Sequence, residues 1–226
     1  MTTHIYKASK AEIKAVLFDL DGTLADTAPD LVAALNMSLS QLDYPQVSLK
    51  AMRHIASNGS MALVKAALPQ ESEEVCLETQ LLLLRFYLDI NGQFCRLFAG
   101  IAELLEYLDN QGLPFGIVTN KPARFTRPLI AALGLTQSMK TVVSGDSTLY
   151  AKPHAAPMLL ASQQIECACQ DILYLGDAKR DLVAAQASGM QGGVALWGYI
   201  GETDSPEDWP CVHQFDSPLD VLELLR

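Results

Sequence analysis

Short runs of consecutive apolar residues alternate with stretches of helical spacing through most of the chain. Residues 15–20 form an apolar run of the length of a buried strand, and 115–118, 141–143, 172–175 and 193–196 read the same way. Between them lie helical stripes. Residues 101–110 place Ile101, Leu104, Leu105 and Leu108 on one face, with Gly112 as a stop, and 125–133 end at Gly134. Residues 157–164 carry a proline in the first turn, and 182–188 are closed by Gly189. Strands that are apolar on both faces, each followed by a helix, predict a parallel sheet covered by helices on both sides. The expected fold class is α/β, a doubly wound parallel sheet.

One region breaks this alternation. Residues 30–42, 50–57, 61–68 and 72–88 all have helical periodicity, and none of them reads as a strand. They follow the first strand directly, so they predict an inserted all-helical cap subdomain. The expected division is a core of residues 1–25 and 96–226 and a cap of residues 26–95. A chain of 226 residues, at about 150 per domain, leaves room for one core and a small satellite. The leucines at 81–84 and Met52, Met61 and Met158 are expected to fill cores. Residues 201–218, rich in Asp, Glu, Ser and Pro, predict loop, followed by a short helix at 219–225.

Charge narrows the function classes. Sixteen Lys and Arg against 26 Asp and Glu give a formal charge of −10, the wrong sign for a general nucleic-acid binder or a polybasic membrane-surface protein. No apolar run is long enough for a membrane span, and residues 1–14 show no secretory pattern. Five cysteines at irregular spacing point to reduced thiols and a cytoplasmic setting. Cys167 and Cys169 have no second pair, which argues against zinc. The expected partner is a small molecule, with no nucleic acid and no membrane, and the chain as a monomer or homodimer.

In an open parallel sheet, ligands bind beyond the carboxyl ends of the strands. Here those ends carry Asp19, Asp21, Gly22 and Thr23, then Thr119, Asn120 and Lys121, then Lys152 and Pro153, then Asp177 and Asp181. Asp19 and Asp21 are two apart, so in extended backbone their side chains start on the same side. Four clustered carboxylates repel one another unless a cation neutralises them, and an all-oxygen set favours Mg²⁺. One carboxylate can then attack phosphorus, and a second can protonate the leaving oxygen. Thr119 can donate to a phosphate oxygen, and Lys152 offers a fixed positive charge to the transition state. Gly22 allows a tight backbone turn beside the ligand.

Phe18-Asp19-Leu20-Asp21-Gly22-Thr23, Thr119-Asn120, Lys152-Pro153 and the Gly176-Asp177 to Asp181 spacing resemble, in order, the four motifs of haloacid-dehalogenase-type phosphatases. The resemblance covers nearly the whole chain, the inserted cap included, and implies a Rossmann-like core. It implies that Asp19 is a nucleophile that becomes an aspartyl-phosphate and that Asp21 is the general acid/base. It further implies Mg²⁺ on the carboxylates of Asp19 and Asp177 and the backbone carbonyl of Asp21, with Asp181 in support. Thr119, Asn120, Lys152 and Gly22 would surround the phosphoryl group.

More narrowly, Asp26-Thr27-Ala28-Pro29-Asp30-Leu31 and Val118-Thr119-Asn120-Lys121-Pro122 resemble the phosphoglycolate-phosphatase-like branch. Lys121-Pro122-Ala123-Arg124-Phe125 and Trp197-Gly198-Tyr199-Ile200 also resemble the N-acetylmuramic acid 6-phosphate phosphatases. The motifs do not separate the two, and a phosphomutase on the same scaffold is a further alternative. Substrate-specificity candidates are Asn58, Gly59 and Ser60 in the Ser57-Asn58-Gly59-Ser60 break between two cap helices, and Lys121 and Arg124 at the rim, beside Lys179 and Arg180. Where related loops carry a charged side chain, Met61 and Ala62 follow here, and Ala178 stands where many relatives have a second Asp. His154 is a candidate to lean over the site, whereas His4, His54 and His213 are expected at the surface.

Overall fold

The computed structural model describes residues 12–226. His4 lies outside them. The chain enters through β1 (Ala15–Phe18), buried at every position, and then forms the two-residue β2 (Ala25–Asp26). α1 (Ala28–Gln41) follows, with Pro29 in its first turn. α2 (Leu49–Met52) runs into a 3₁₀ turn (Arg53–Asn58), followed by α3 (Ser60–Ala67). α4 (Glu73–Ile90) starts where the Ser72 hydroxyl accepts from the Val75 amide at 3.3 Å, with Glu73 and Glu74 complementing the helix dipole. β3 (Arg96–Leu97) returns antiparallel to β2.

From there the alternation expected from the sequence runs to the end: α5 (Ile101–Asn110), β4 (Phe115–Val118), α6 (Ala123–Ala132), β5 (Thr141–Val143) and α7 (Ala156–Gln164). β6 (Ile172–Gly176), α8 (Lys179–Ser188), β7 (Gln191–Ala195), β8 (His213–Phe215) and α9 (Pro218–Leu225) complete it. The six main strands are parallel in the order β5-β4-β1-β6-β7-β8. The period of two along β1 sorts its side chains onto two faces. Val16 and Phe18 join a cluster with Leu104 of α5, Leu129 of α6 and Val221 of α9. Ala15 and Leu17 join another with Met158 of α7 and Ala184 of α8. The sheet is therefore covered on both faces. β1 lies between β4 and β6, so connections leave it in both directions, and the crevice at its carboxyl end is the switch point where such sheets bind ligands.

α1, α3 and α4 pack on one another around Leu35, Leu63, Leu83 and Tyr87, with Met52 buried and Met61 packed alongside. Four consecutive leucines sweep most of the way round a helix and cannot all face inward. Accordingly Leu83 is buried, whereas Leu81 is 68 % exposed. This corrects the expectation that the whole cluster is core. Two further expectations change. The stretch at 50–57 has one α turn before it tightens into 3₁₀ geometry. The stretch at 201–218 contains β8, which pairs with β7 as an edge strand.

Asp30, fully buried in the first turn of α1, joins the two crossings between the sheet and the helices. Its carboxylate accepts from the amides of Phe94 at 2.8 Å, Gly92 at 2.9 Å and Cys95 at 3.2 Å. Cys95 and Cys76 are buried, Cys167, Cys169 and Cys211 are partly exposed, and all five are free thiols. Asp30→Ala strands three backbone donors, each costing about 1–3 kcal/mol if left unpaired in the interior, and water recovers part of that. A loss of about 3 kcal/mol is expected in urea unfolding, and an unchanged midpoint would refute the clamp.

Candidate active site

The chain turns sharply after β1, and that turn makes the floor of the site. Gly22 has φ +84°, and a Cβ there would sit 2.0 Å from Asp177 Oδ2. Only glycine allows both the turn and the approach of that carboxylate. A Cβ at Gly198, on the loop after β7, would fall 2.4 Å from both the Asp177 Cβ and the Gly22 carbonyl oxygen, so that wall is equally close.

Asp19, 3 % exposed, accepts from the Leu20 amide at 2.7 Å on Oδ1 and meets Lys152 Nζ at 3.0 Å. Lys152 arrives on the loop after β5, its side chain wholly buried. Its ammonium also reaches Asp181 Oδ1 at 2.7 Å, the Tyr174 hydroxyl at 2.7 Å and the Val118 carbonyl at 2.8 Å. Asn120 spends its amide on the Lys152 backbone, donating to the carbonyl and accepting from the amide, both at 2.9 Å. Its side chain thus acts on the loop that presents the cation. Thr119 is buried directly after β4 and lines the same cavity as Asp19, and its hydroxyl accepts from the Lys121 amide at 3.2 Å.

Asp21 Oδ1 accepts from both Lys121 Nζ and the Thr27 hydroxyl. Burial by itself would lower the proton affinity of Lys121, but the charge on Asp21, its hydrogen bond and the neighbouring Tyr87 together raise the ammonium's pKa above its ordinary value. Lys121 Nζ also lies 5.0 Å from the centre of the Tyr87 ring, and the Tyr87 hydroxyl is buried with no hydrogen-bond partner among the described residues.

Asp177 ends β6. Its Oδ2 accepts from the Tyr199 amide at 2.9 Å and lies 3.1 Å from the Ser57 hydroxyl, and its Oδ1 is 3.4 Å from the Thr23 hydroxyl. Carboxylate oxygens of Asp19, Asp177 and Asp181 lie within 4.8 Å of one another. Lys152 pairs with Asp19 and Asp181, whereas Asp177 has no ion pair among the described residues. Burial, and then the charges on Asp181 and Asp19, push the Asp177 carboxyl up to about 7. Asp181 is raised too, chiefly by burial. An all-oxygen donor set with excess buried negative charge and one unpaired carboxylate fits a hard divalent cation. Asp19, Asp177 and the Asp21 carbonyl would hold it. Asp181, engaged by Lys152 and by the Ala178 amide at 3.1 Å, would support from behind.

A proton on Asp177 competes with such a cation. Mg²⁺ affinity is therefore expected to rise with pH, up to about tenfold per unit below pH 7, and to level off above it in calorimetric titrations. The metal-free protein should behave in the opposite way. Its native Asp177 holds a proton that the unfolded chain, near 3.8, has already lost, so stability falls as pH climbs from about 4 to about 7.

Above this floor lies a cavity of about 490 Å³. Leu31, Leu84, Tyr87 and Phe125 form an apolar wall, and Asn58, Gly59, Ser60, Gln80, Arg124 and Arg180 contribute polar lining. Of the specificity candidates, Asn58, Gly59, Ser60, Lys121 and Arg124 all border this space. His154 does not line it, and its Nδ1 accepts from the Ala156 amide at 3.0 Å in a local turn. Lys179 is exposed outside it, as is His54.

Sequence reasoning placed Ser57 in the break between two helices without giving it a role at a cation, and it passed over Tyr174, Tyr87 and Tyr199. The Tyr199 hydroxyl donates to Asp26 at 2.7 Å and accepts from the Ala28 amide at 2.8 Å, and its own amide holds Asp177. Tyr174 lies within β6 and Tyr87 within α4, where burial alone explains them, and Tyr199 lies on the loop after β7, so no spacing marks them out.

Comparison with known proteins agrees with this geometry. The chain matches the family described as Haloacid dehalogenase-like hydrolase over residues 16–195. It is 37 % identical over 213 residues to a phosphoglycolate phosphatase of Xanthomonas campestris pv. campestris, covering 93 % of this chain and 95 % of that one. It is 35 % identical over 220 residues to an N-acetylmuramic acid 6-phosphate phosphatase of Pseudomonas aeruginosa, covering 96 % of each. A crystal structure of a predicted phosphoglycolate phosphatase from Haemophilus somnus 129pt superimposes with a TM-score of 0.82 at 28 % identity, covering 96 % of this chain and all of that one. Four ordered motifs at the carboxyl ends of a parallel sheet, and a family match spanning nearly the whole sheet, lead to one conclusion: the chain belongs to the haloacid dehalogenase-like hydrolase family.

Proposed function

We propose that the protein is a Mg²⁺-dependent phosphomonoester hydrolase that acts through an aspartyl-phosphate on a small phosphorylated metabolite, phosphoglycolate-phosphatase-like, in the cytoplasm. The observation that carries this reading is the buried pairing of Asp19 with Lys152 at the floor of a cavity whose wall also holds Asp21. Residues 26–95 would act as the cap over a core of 1–25 and 96–226.

When bound, Mg²⁺ would offset the repulsion between the site's carboxylates and the phosphate oxygens. An Asp19 oxygen attacks phosphorus, and the bond from phosphorus to the leaving oxygen breaks. Lys152 and the Thr119 hydroxyl face the charge that gathers on the equatorial oxygens. Asp21 Oδ1 is occupied by two donors, so its proton belongs on Oδ2 and passes from there to the leaving oxygen. Asp21 then takes a proton from water. The water oxygen attacks phosphorus, inorganic phosphate leaves, and Asp19 is restored. The apolar wall of Leu31, Leu84 and Phe125 excludes bulk water during the first transfer.

A second reading has a specific observation in its favour. A cavity of about 490 Å³, with the amide and hydroxyl groups of Asn58, Ser60 and Gln80, is roomier than a two-carbon acid requires and suits an acylated sugar acid such as N-acetylmuramic acid 6-phosphate. Phosphate release from 2-phosphoglycolate and from N-acetylmuramic acid 6-phosphate, measured side by side with Mg²⁺, tests both. A hundredfold preference in kcat/KM, about 2.7 kcal/mol of differential transition-state binding, assigns the branch. Absence of release from any phosphomonoester overturns the hydrolase reading.

A further inference from the structure

We propose that Ser57, carried by the helical insert, supplies a hydroxyl ligand to the divalent cation held by Asp177 and the Asp21 carbonyl, so that the insert closes directly onto the cation. The proposal rests on the reading of the site as cation-dependent and adds a ligand from outside the sheet.

The Ser57 Oγ lies 3.1 Å from the Asp21 carbonyl oxygen and 3.1 Å from Asp177 Oδ2. With the Asp177 carboxylate ionised, both neighbours are acceptors only, and a hydroxyl has a single hydrogen, so it can satisfy one of them and not the other. The Ser57 oxygen thus meets two oxygens with one proton to offer, an arrangement that a shared cation resolves. The two Ser57 distances match adjacent positions around such a cation. Oxygens on adjacent corners of a Mg²⁺ octahedron, with bonds of about 2.0–2.1 Å, are about 3 Å apart. A neutral serine or threonine hydroxyl is an established kind of Mg²⁺ ligand, as in nucleotide-binding P-loops.

The contact is also held in place. Arg180, next to Asp181 on α8, donates from Nη2 to the Ser57 carbonyl at 2.8 Å and from Nη1 to Asn58 Oδ1 at 3.4 Å. The 3₁₀ turn is thus fixed through its backbone to the helix that follows Asp177. While that turn stays in place, the Ser57 hydroxyl remains within reach of the carboxylate. Cation binding and closure of the turn would therefore strengthen each other by the same factor, as linkage requires.

Calorimetric titration with Mg²⁺, without substrate, tests this on the intact protein and on Ser57→Ala, Ser57→Thr and Ser57→Cys. The expected results are about tenfold weaker binding for Ser57→Ala and binding within about twofold of the original for Ser57→Thr. For Ser57→Cys, the ratio of Cd²⁺ to Mg²⁺ affinity should rise at least about tenfold, because a thiolate prefers the softer ion. A hydroxyl that merely packs against the turn would not move that ratio. Unchanged or tighter Mg²⁺ binding by a natively folded Ser57→Ala, or an unmoved ratio in Ser57→Cys, overturns the proposal. Absence of Mg²⁺ binding by the unaltered protein, or binding by Asp177→Asn at full strength, overturns the reading of the site instead.

Discussion

Asp19→Asn is expected to lower kcat by about 10⁴-fold or more while leaving the fold intact. The carboxamide has nearly the shape of the carboxylate, and its oxygen can still accept from the Leu20 amide and Lys152. It lacks the charge and the lone-pair availability needed to attack phosphorus, and loss of a nucleophile that works in concert with its neighbours removes nearly all of the chemical step. Phosphate release and the thermal midpoint should be measured on the same preparation. A stable variant without turnover is the expected pair. A stable variant that still turns over would remove the covalent intermediate from the mechanism.

Lys152→Met is expected to be the most damaging single change, because it acts on both stability and chemistry. The methionine fills a similar volume, but two buried carboxylates, on Asp19 and Asp181, lose the ammonium that lies 3.0 and 2.7 Å away. Removing one partner from a buried ion cluster costs about 3–5 kcal/mol. The Val118 carbonyl and the Tyr174 hydroxyl lose a partner as well. Urea unfolding should show the loss, and added Mg²⁺ should recover part of it by supplying the missing positive charge. Turnover should fall by about 10³-fold through loss of transition-state stabilisation. A midpoint and kcat like those of the parent would mean that Lys152 is a spectator.

The parallel sheet was legible because its strands are buried on both faces, which leaves uninterrupted apolar runs such as residues 172–175, and because Gly134 and Gly189 mark helix ends. The β2–β3 pair was not legible, since two residues per strand lie below any period. β8 was hidden by its composition. As an edge strand it needs polar residues on its open side, so it reads as loop. In the site, Asp19 and Asp177 stood out because charged residues directly after apolar strands are conspicuous, whereas Lys152, nine residues beyond β5, stood out only by its place beside Pro153 in the order of the motifs. Ser57 stood out only as part of the break at 57–60, where a serine before Asn58-Gly59 reads equally as turn chemistry. Only the folded chain brings it to Asp177 across 120 positions. Arg180 was legible as a rim charge, but its grip on the Ser57 carbonyl depends on a side chain meeting a distant backbone, and no sequence pattern records that.

The two buried cysteines give the protein an internal clock. Cys95 sits 1 % exposed behind the Asp30 clamp, where burial pushes its thiol up to about 12, and Cys76 is 3 % exposed within the helical insert. A thiol-specific reagent meets Cys167, Cys169 and Cys211 first, because they are partly open to solvent. The slower phases that follow time the opening of the insert and of its anchorage, since neither buried sulfur can react until its cover lifts. The unmodified chain thus carries its own probes for how often the roof of the cavity comes away, at two points separated in sequence by the greater part of α4.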